Sequence, residues 1–223
     1  MFYDSTYTIF FILTFLLATG SQIWISSSYK RNSKIKSKSN LTGEQAAFKI
    51  IEGEGFNTDI NIQGPSLSDH YDPRHDTVKL SASSRNSSVA DIAVSAHELG
   101  HVSQKYSNSL LFNLRNGLVP IVNIGSNIGY ILIILGFTLS VFELAQLGLI
   151  LFSSTALFSL LTVPIEIDAT RRGLTFIKKY DLLESENLTN AKAVLNAAAM
   201  TYVASLLTSL LNVLYFASRI RKK

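Results

Sequence analysis

Residues 118–163 read LVPIVNIGSNIGYILIILGFTLSVFELAQLGLILFSSTALFSLLTV and hold a single charged side chain, Glu143. A hydrocarbon core about 30 Å thick is crossed by a helix of about 20 residues, so this stretch is long enough for two crossings. The residues around Val141 and Glu143 divide it into spans at 118–140 and 142–163, which predicts a transmembrane hairpin with Glu143 in the connecting loop. Two further apolar stretches lie outside it, at 7–25 and 193–217. The last is interrupted by Asn196, Thr201, Ser205, Thr208, Ser209 and Asn212. Small and polar residues of that kind line interfaces between membrane helices.

Composition agrees with lipid as a solvent. Hydrophobic residues make up 47% of the chain and charged residues 16%, against about 25% charged in soluble domains. The net charge of +4 does not mark a nucleic-acid partner, because the cations sit beside apolar runs instead of forming one basic face. Lys30, Arg31, Lys34, Lys36 and Lys38 follow the first apolar stretch directly, where a cytoplasmic flank is expected. A cleaved signal peptide is the alternative for residues 7–25, with Ala18-Thr19-Gly20 as a small-residue cleavage site, but no basic segment precedes it, only Asp4. The absence of cysteine rules out disulfides and thiolate metal ligands.

Two polar segments remain to carry chemistry, 26–117 and 164–192. Two spans separate them, so they return to the same membrane side. Their cations, with Arg171, Arg172, Lys178 and Lys179 in the second, predict that this side is cytoplasmic. The tail of Arg219, Arg221, Lys222 and Lys223 argues the other way. Segment 26–117 patterns as α+β. The lysine- and serine-rich stretch 33–39 reads as a solvated linker. Thr42 with Gln45 forms a capping box opening a helix through Ala46, Ala47, Ile50 and Ile51, which Gly53 and Gly55 end. Strands are expected at 58–62 and 77–80, with Gly64, Pro65, Asp72 and Pro73 as turn residues. Ser88 with Asp91 caps a second helix that runs on through His97 and His101.

That helix carries His97-Glu98-Leu99-Gly100-His101. Imidazoles four positions apart project from one helix face and can share a tetrahedral metal ion. Glu98 between them can take a proton from a water that a zinc ion acidifies to a pKa of about 7, and return it to a departing amine. The alternative is two packed or solvated histidines, yet half of the four histidines fall in this one motif. A third ligand must be histidine or carboxylate, and the candidates are His70, His75 and Glu166. Glu166 is favoured, because a carboxylate just past Pro164 at a membrane boundary is costly unless recruited; an interfacial glutamate suiting a helix N-terminus is the competing account. Asp168 and Arg172 read as an i,i+4 ion pair. In Asp69-His70-Tyr71-Asp72-Pro73, His70 or Tyr71 could donate to an oxyanion. Otherwise the stretch builds a turn, with Tyr71 packed against the metal helix.

LSDHYDPR (67–74), SAHELGHVSQ (95–104), PIEIDATRR (164–172) and LNAAAMTYVAS (195–205) resemble the bacterial membrane neutral zinc metallopeptidases of the YugP-like family. The resemblance covers about 41–214 and implies a membrane-embedded, zinc-dependent peptidase. The order of motifs is also similar to that of HtpX-type membrane peptidases, where a Glu after a transmembrane hairpin is the third zinc ligand; Glu166 matches it, while Thr170 stands where those proteins carry an Asp.

The expectation is therefore a multi-pass α-helical membrane protein with a small α+β, zincin-like domain on its HExxH helix. It would be a zinc metalloendopeptidase of the cell membrane with its site facing the cytoplasm. One Zn2+ on His97, His101 and Glu166, and Glu98 as general base, would act on polypeptides that are membrane-associated or unfolded. A non-catalytic zinc-binding scaffold or assembly factor is the alternative, and would need His70 or His75 to complete a closed four-ligand shell.

Overall fold

The computed structural model describes residues 5–38 and 40–221; Asp4, Ser39, Lys222 and Lys223 lie outside the described residues. In chain order the elements are α1 (Ser5–Asn32), α2 (Gly43–Glu54), β1 (Asp59–Ile62), β2 (His70–Asp72), β3 (Thr77–Leu80), α3 (Val89–Tyr106), α4 (Leu110–Leu139), α5 (Phe142–Phe152), α6 (Ser154–Lys179) and α7 (Leu188–Arg221), with short 3-10 turns before α3 and α7. Four helical stretches, Ser5–Asn32, Leu110–Leu139, Phe142–Lys179 and Ser185–Arg221, are long and apolar enough to cross a membrane by length and composition. The chain forms two compact units.

The first unit comprises the chain up to Gln22, Asn113–Pro164 and the chain from Thr201. Within it, α4 and α5 pack closely because small residues face each other: a Cβ on Gly136 would meet Ala145 N at 2.4 Å, and one on Gly129 would meet Gly148 O at 2.7 Å. Such residues let helix backbones approach where no hydrophobic effect drives association. Ser209, among the polar interruptions of the last apolar stretch, meets Ser159 hydroxyl to hydroxyl at 3.3 Å. Glu143 stands not in a loop but in the first turn of α5, where its charge complements the helix N-terminus. Pro164 lies inside α6 and forfeits one backbone hydrogen bond without ending the helix, so the third apolar stretch from Ser154 onward is continuous with the polar helix after it.

The second unit, Ile23–Phe112 with Ile165–Met200, holds the sheet and the histidine helix. The capping box at Thr42 forms in full, and α2 ends on Gly55 at φ 67, a left-handed conformation that glycine adopts without a Cβ clash. Ala46, Ala47 and Ile50 are fully buried against Val89, Ile92, Ala93, Ala96, Leu99 and Val102, which recur at helical spacing along α3. Each large aliphatic side chain buried this way stabilises the fold by about 1.5–3 kcal/mol. Ser88 caps α3 by accepting from Asp91 N, and the buried Asp91 carboxylate in turn accepts from Ser88 Oγ and from Tyr29 Oη at 2.5 Å.

Two expectations for this unit are corrected. His70–Asp72, read as a turn, is a strand: the sheet order is β1-β3-β2, with β1 parallel and β2 antiparallel to β3. Val78 at its centre pairs with both Ile60 and Tyr71. A three-residue strand is too short to show alternation, so nothing in its composition announces it. Stretch 33–39 is not a solvated linker where it is described: Lys36 bridges Ser88, Ile35 O accepts from Val89 N at 2.9 Å, and Ser37 is buried. Main-chain pairing of this kind is indifferent to the polar side chains that suggested solvent.

Candidate metal centre

Everything that converges on the site lies in the second unit. His97 and His101 leave the same face of α3, their rings edge to face with centroids 4.9 Å apart. Glu166, twelve residues into α6 and 4% exposed, points its Oε2 at both, 3.3 Å from His97 Nε2 and 3.5 Å from His101 Nε2. The helices come close enough because two glycines remove the side chains that would hold them apart. A Cβ on Gly100 would lie 2.4 Å from Ala169 O, and one on Gly173 would lie 3.0 Å from Ala96 O.

The three groups fit a metal ion. Their ligand atoms lie within 4.8 Å of one another, and ligands about 2.0–2.1 Å from a tetrahedral zinc are separated by about 3.3–3.4 Å, which matches the two nitrogen-to-oxygen distances. Glu166 Oε2 is buried yet has no hydrogen-bond partner. The two histidine contacts fall within ion-pair range without hydrogen-bond geometry, and a cation placed between the three would satisfy that oxygen. Burial alone would lower the pKa of His101, but the facing Glu166 carboxylate outweighs it and lifts the imidazole to about 9. The cluster thus favours a shared positive charge.

Glu98 is buried, at 7% exposure, beside these groups. Burial pushes its carboxyl above the ordinary range, against the opposing pull of His97 and His101. Phe112, the third residue of α4, stacks on His101 with centroids 6.0 Å apart, and Tyr71 stacks on Phe112 at 6.4 Å. The imidazoles are anchored from behind as well. His101 Nδ1 meets Gln104 Oε1 at 3.0 Å, and His97 Nδ1 lies 3.4 Å from Thr170 Oγ1. Asp168 pairs with Arg172 at 2.8 Å, as its spacing predicts.

The other candidates lie elsewhere. Exposed His70 contacts Ser68 O through Nδ1 at 2.9 Å. His75 pairs with Asp72 at 2.9 Å, holding that carboxyl down at about 2. Tyr71 donates its hydroxyl to Asp76 at 2.5 Å, and Lys105 of α3 closes the same knot on Asp76 at 2.9 Å. Tyr71 is thus committed to packing β2 against α3. Among the described residues, the metal-capable cluster holds neither His70 nor His75.

Sequence reasoning missed Gln104, Gly100 and Gly173. Gln104 and Gly100 stand inside the quoted motif 95–104, but only the tertiary structure shows what each touches.

Residues 7–221 match the family described as "Putative neutral zinc metallopeptidase". The chain is also 32% identical, over 212 residues, to the Bacillus subtilis (strain 168) protein described as "Putative membrane protease YugP", a match spanning 92% of this chain and 94% of that one. No solved structure matches. With nearly its whole length matched, the chain belongs to the neutral zinc metallopeptidase family.

Proposed function

We propose that the chain is a membrane-embedded zinc endopeptidase of the HExxH type in which His97, His101 and Glu166 hold one zinc ion and Glu98 is the general base. The observation that carries this is the orphaned, buried Glu166 Oε2 facing two imidazole nitrogens at the spacing of tetrahedral ligands. Zinc, when bound, supplies a Lewis acid that brings the pKa of a water near 7 and polarises a carbonyl. Glu98 takes the proton of the attacking water on a carboxylate oxygen and passes it to the amine of the cleaved peptide bond. Its burial excludes bulk water from that exchange. His97 and His101 would be oriented through their Nδ1 contacts, and the packing of the short sheet against α3 is in keeping with a zincin-like domain.

The four apolar helices support a multi-pass protein of the cell membrane. The cations at Lys30–Lys38 and Arg171–Lys179 support a cytoplasmic site, and membrane-associated or unfolded polypeptides are the substrates this location would offer. The scaffold alternative needs a closed shell of four protein ligands, and neither His70 nor His75 is placed to complete one.

Detergent-purified protein should hydrolyse casein. Activity should fall to background on removal of metal by a chelator and return with added zinc. Hydrolysis that persists at full rate in metal-free protein would refute the reading.

A further inference from the structure

Gln104 lies one turn beyond His101 on α3 and is 1% exposed. Its Nε2 lies 2.8 Å from Ile165 O and 2.9 Å from Asp168 Oδ2. A main-chain carbonyl and an ionised carboxylate only accept, so the amide must present its NH2 to them; flipped, it would set oxygen against two oxygens. Oε1 is therefore the atom facing His101 Nδ1 at 3.0 Å. An amide oxygen only accepts, so His101 carries a proton on Nδ1, which leaves Nε2, 3.5 Å from Glu166 Oε2, as the nitrogen that a bound zinc ion would take.

The same amide grips α6 at the carbonyl of Ile165, the peptide group that continues into Glu166. Asp168 is held in turn by Arg172, through Nε at 2.8 Å, and Arg172 Nη1 returns to Ser103 Oγ of α3, 2.9 Å, and to Ser107 Oγ just past its end, 3.1 Å. His97 has no equivalent: Thr170 is 3.4 Å from its Nδ1, and a hydroxyl can donate or accept.

We propose that Gln104, braced by Asp168 and Arg172, is the positioning residue of the metal centre, fixing His101 as its Nδ1–H tautomer and locking the Glu166 peptide of α6 in register with α3. This rests on the reading of His97, His101 and Glu166 as zinc ligands.

The test uses full-length protein in detergent, with zinc affinity measured by chelator competition and the visible absorption of the Co2+-loaded form recorded. Outer partners of metal-bound histidines are worth about 10–100-fold in metal affinity. Gln104→Met, close in volume but without the amide, should lose that much and shift the Co2+ bands. A residue that merely packs the helices would change unfolding temperature and leave both readouts at wild-type values, and that result overturns the proposal. Should Gln104→Met not fold, 15N NMR of histidine-labelled, zinc-loaded wild type decides: protonated Nδ1 on His101 supports the proposal, and protonated Nε2 overturns it. If Glu166→Ala binds zinc as tightly as wild type, the ligand assignment itself has failed, and the proposal falls with it.

Discussion

Glu98→Gln is expected to leave zinc bound and reduce casein hydrolysis by about 10²–10⁴-fold, the usual contribution of a positioned general acid–base group. In free energy that is about 2.7–5.5 kcal/mol of barrier. Glutamine keeps the volume and polarity of a side chain buried at 7% exposure, so the packing of α3 should survive. It cannot take a proton at neutral pH. Zinc content and turnover should therefore separate in this variant, and the pair of measurements checks it. A variant that lost zinc as well would make Glu98 part of the metal-binding set, and one that kept its turnover would remove it from the chemistry.

Gly100→Ala should cost more than its single methyl suggests. Helix propensity alone favours the change by about 1 kcal/mol, because glycine is a poor interior residue. The new Cβ, however, would lie 2.4 Å from Ala169 O and 3.0 Å from Ala169 C, both backbone atoms of α6. Neither can rotate away, so α6 must retreat by about 1 Å to reach ordinary contact. Overpacking of this kind costs about 1–3 kcal/mol, which outweighs the propensity gain. The retreat falls one turn from Glu166, where metal-ligand distances tolerate about 0.2 Å. Zinc affinity should drop by more than about 100-fold, with a lower unfolding temperature; competition titration and calorimetry check the two. Gly173→Ala, meeting Ala96 O at 3.0 Å, should show the same pattern more weakly.

What the sequence made legible follows from the range of each interaction. Capping at Thr42 and Ser88, the stop at Gly55 and the apolar positions Ala46, Ala47 and Ile50 of α2 depend on neighbours a few residues away, and all appear as expected. The apolar stretches are read from length and composition, and four long helical stretches carry them. The parallel pairing of β1 with β3 around an intervening β2 is not written in any local pattern, since each strand has only three or four residues. The histidine pair could be read from helical spacing, and Glu166 from its position past a hairpin supported by a family resemblance. Gln104 could not, because its amide meets partners 61 and 64 residues away. Gly100 stands inside the motif with no local sign that two helices nearly touch there. Thr170 puts a hydroxyl 3.4 Å from His97 Nδ1, a contact that no local pattern announces.

The most direct test of the three-ligand centre is the zinc stoichiometry of the purified, full-length protein, by elemental mass spectrometry, for wild type beside Glu166→Ala. The geometry of His97, His101 and Glu166 predicts one zinc per chain in the wild type and close to none in the variant. No zinc in the wild type, or equal zinc in both, would contradict it.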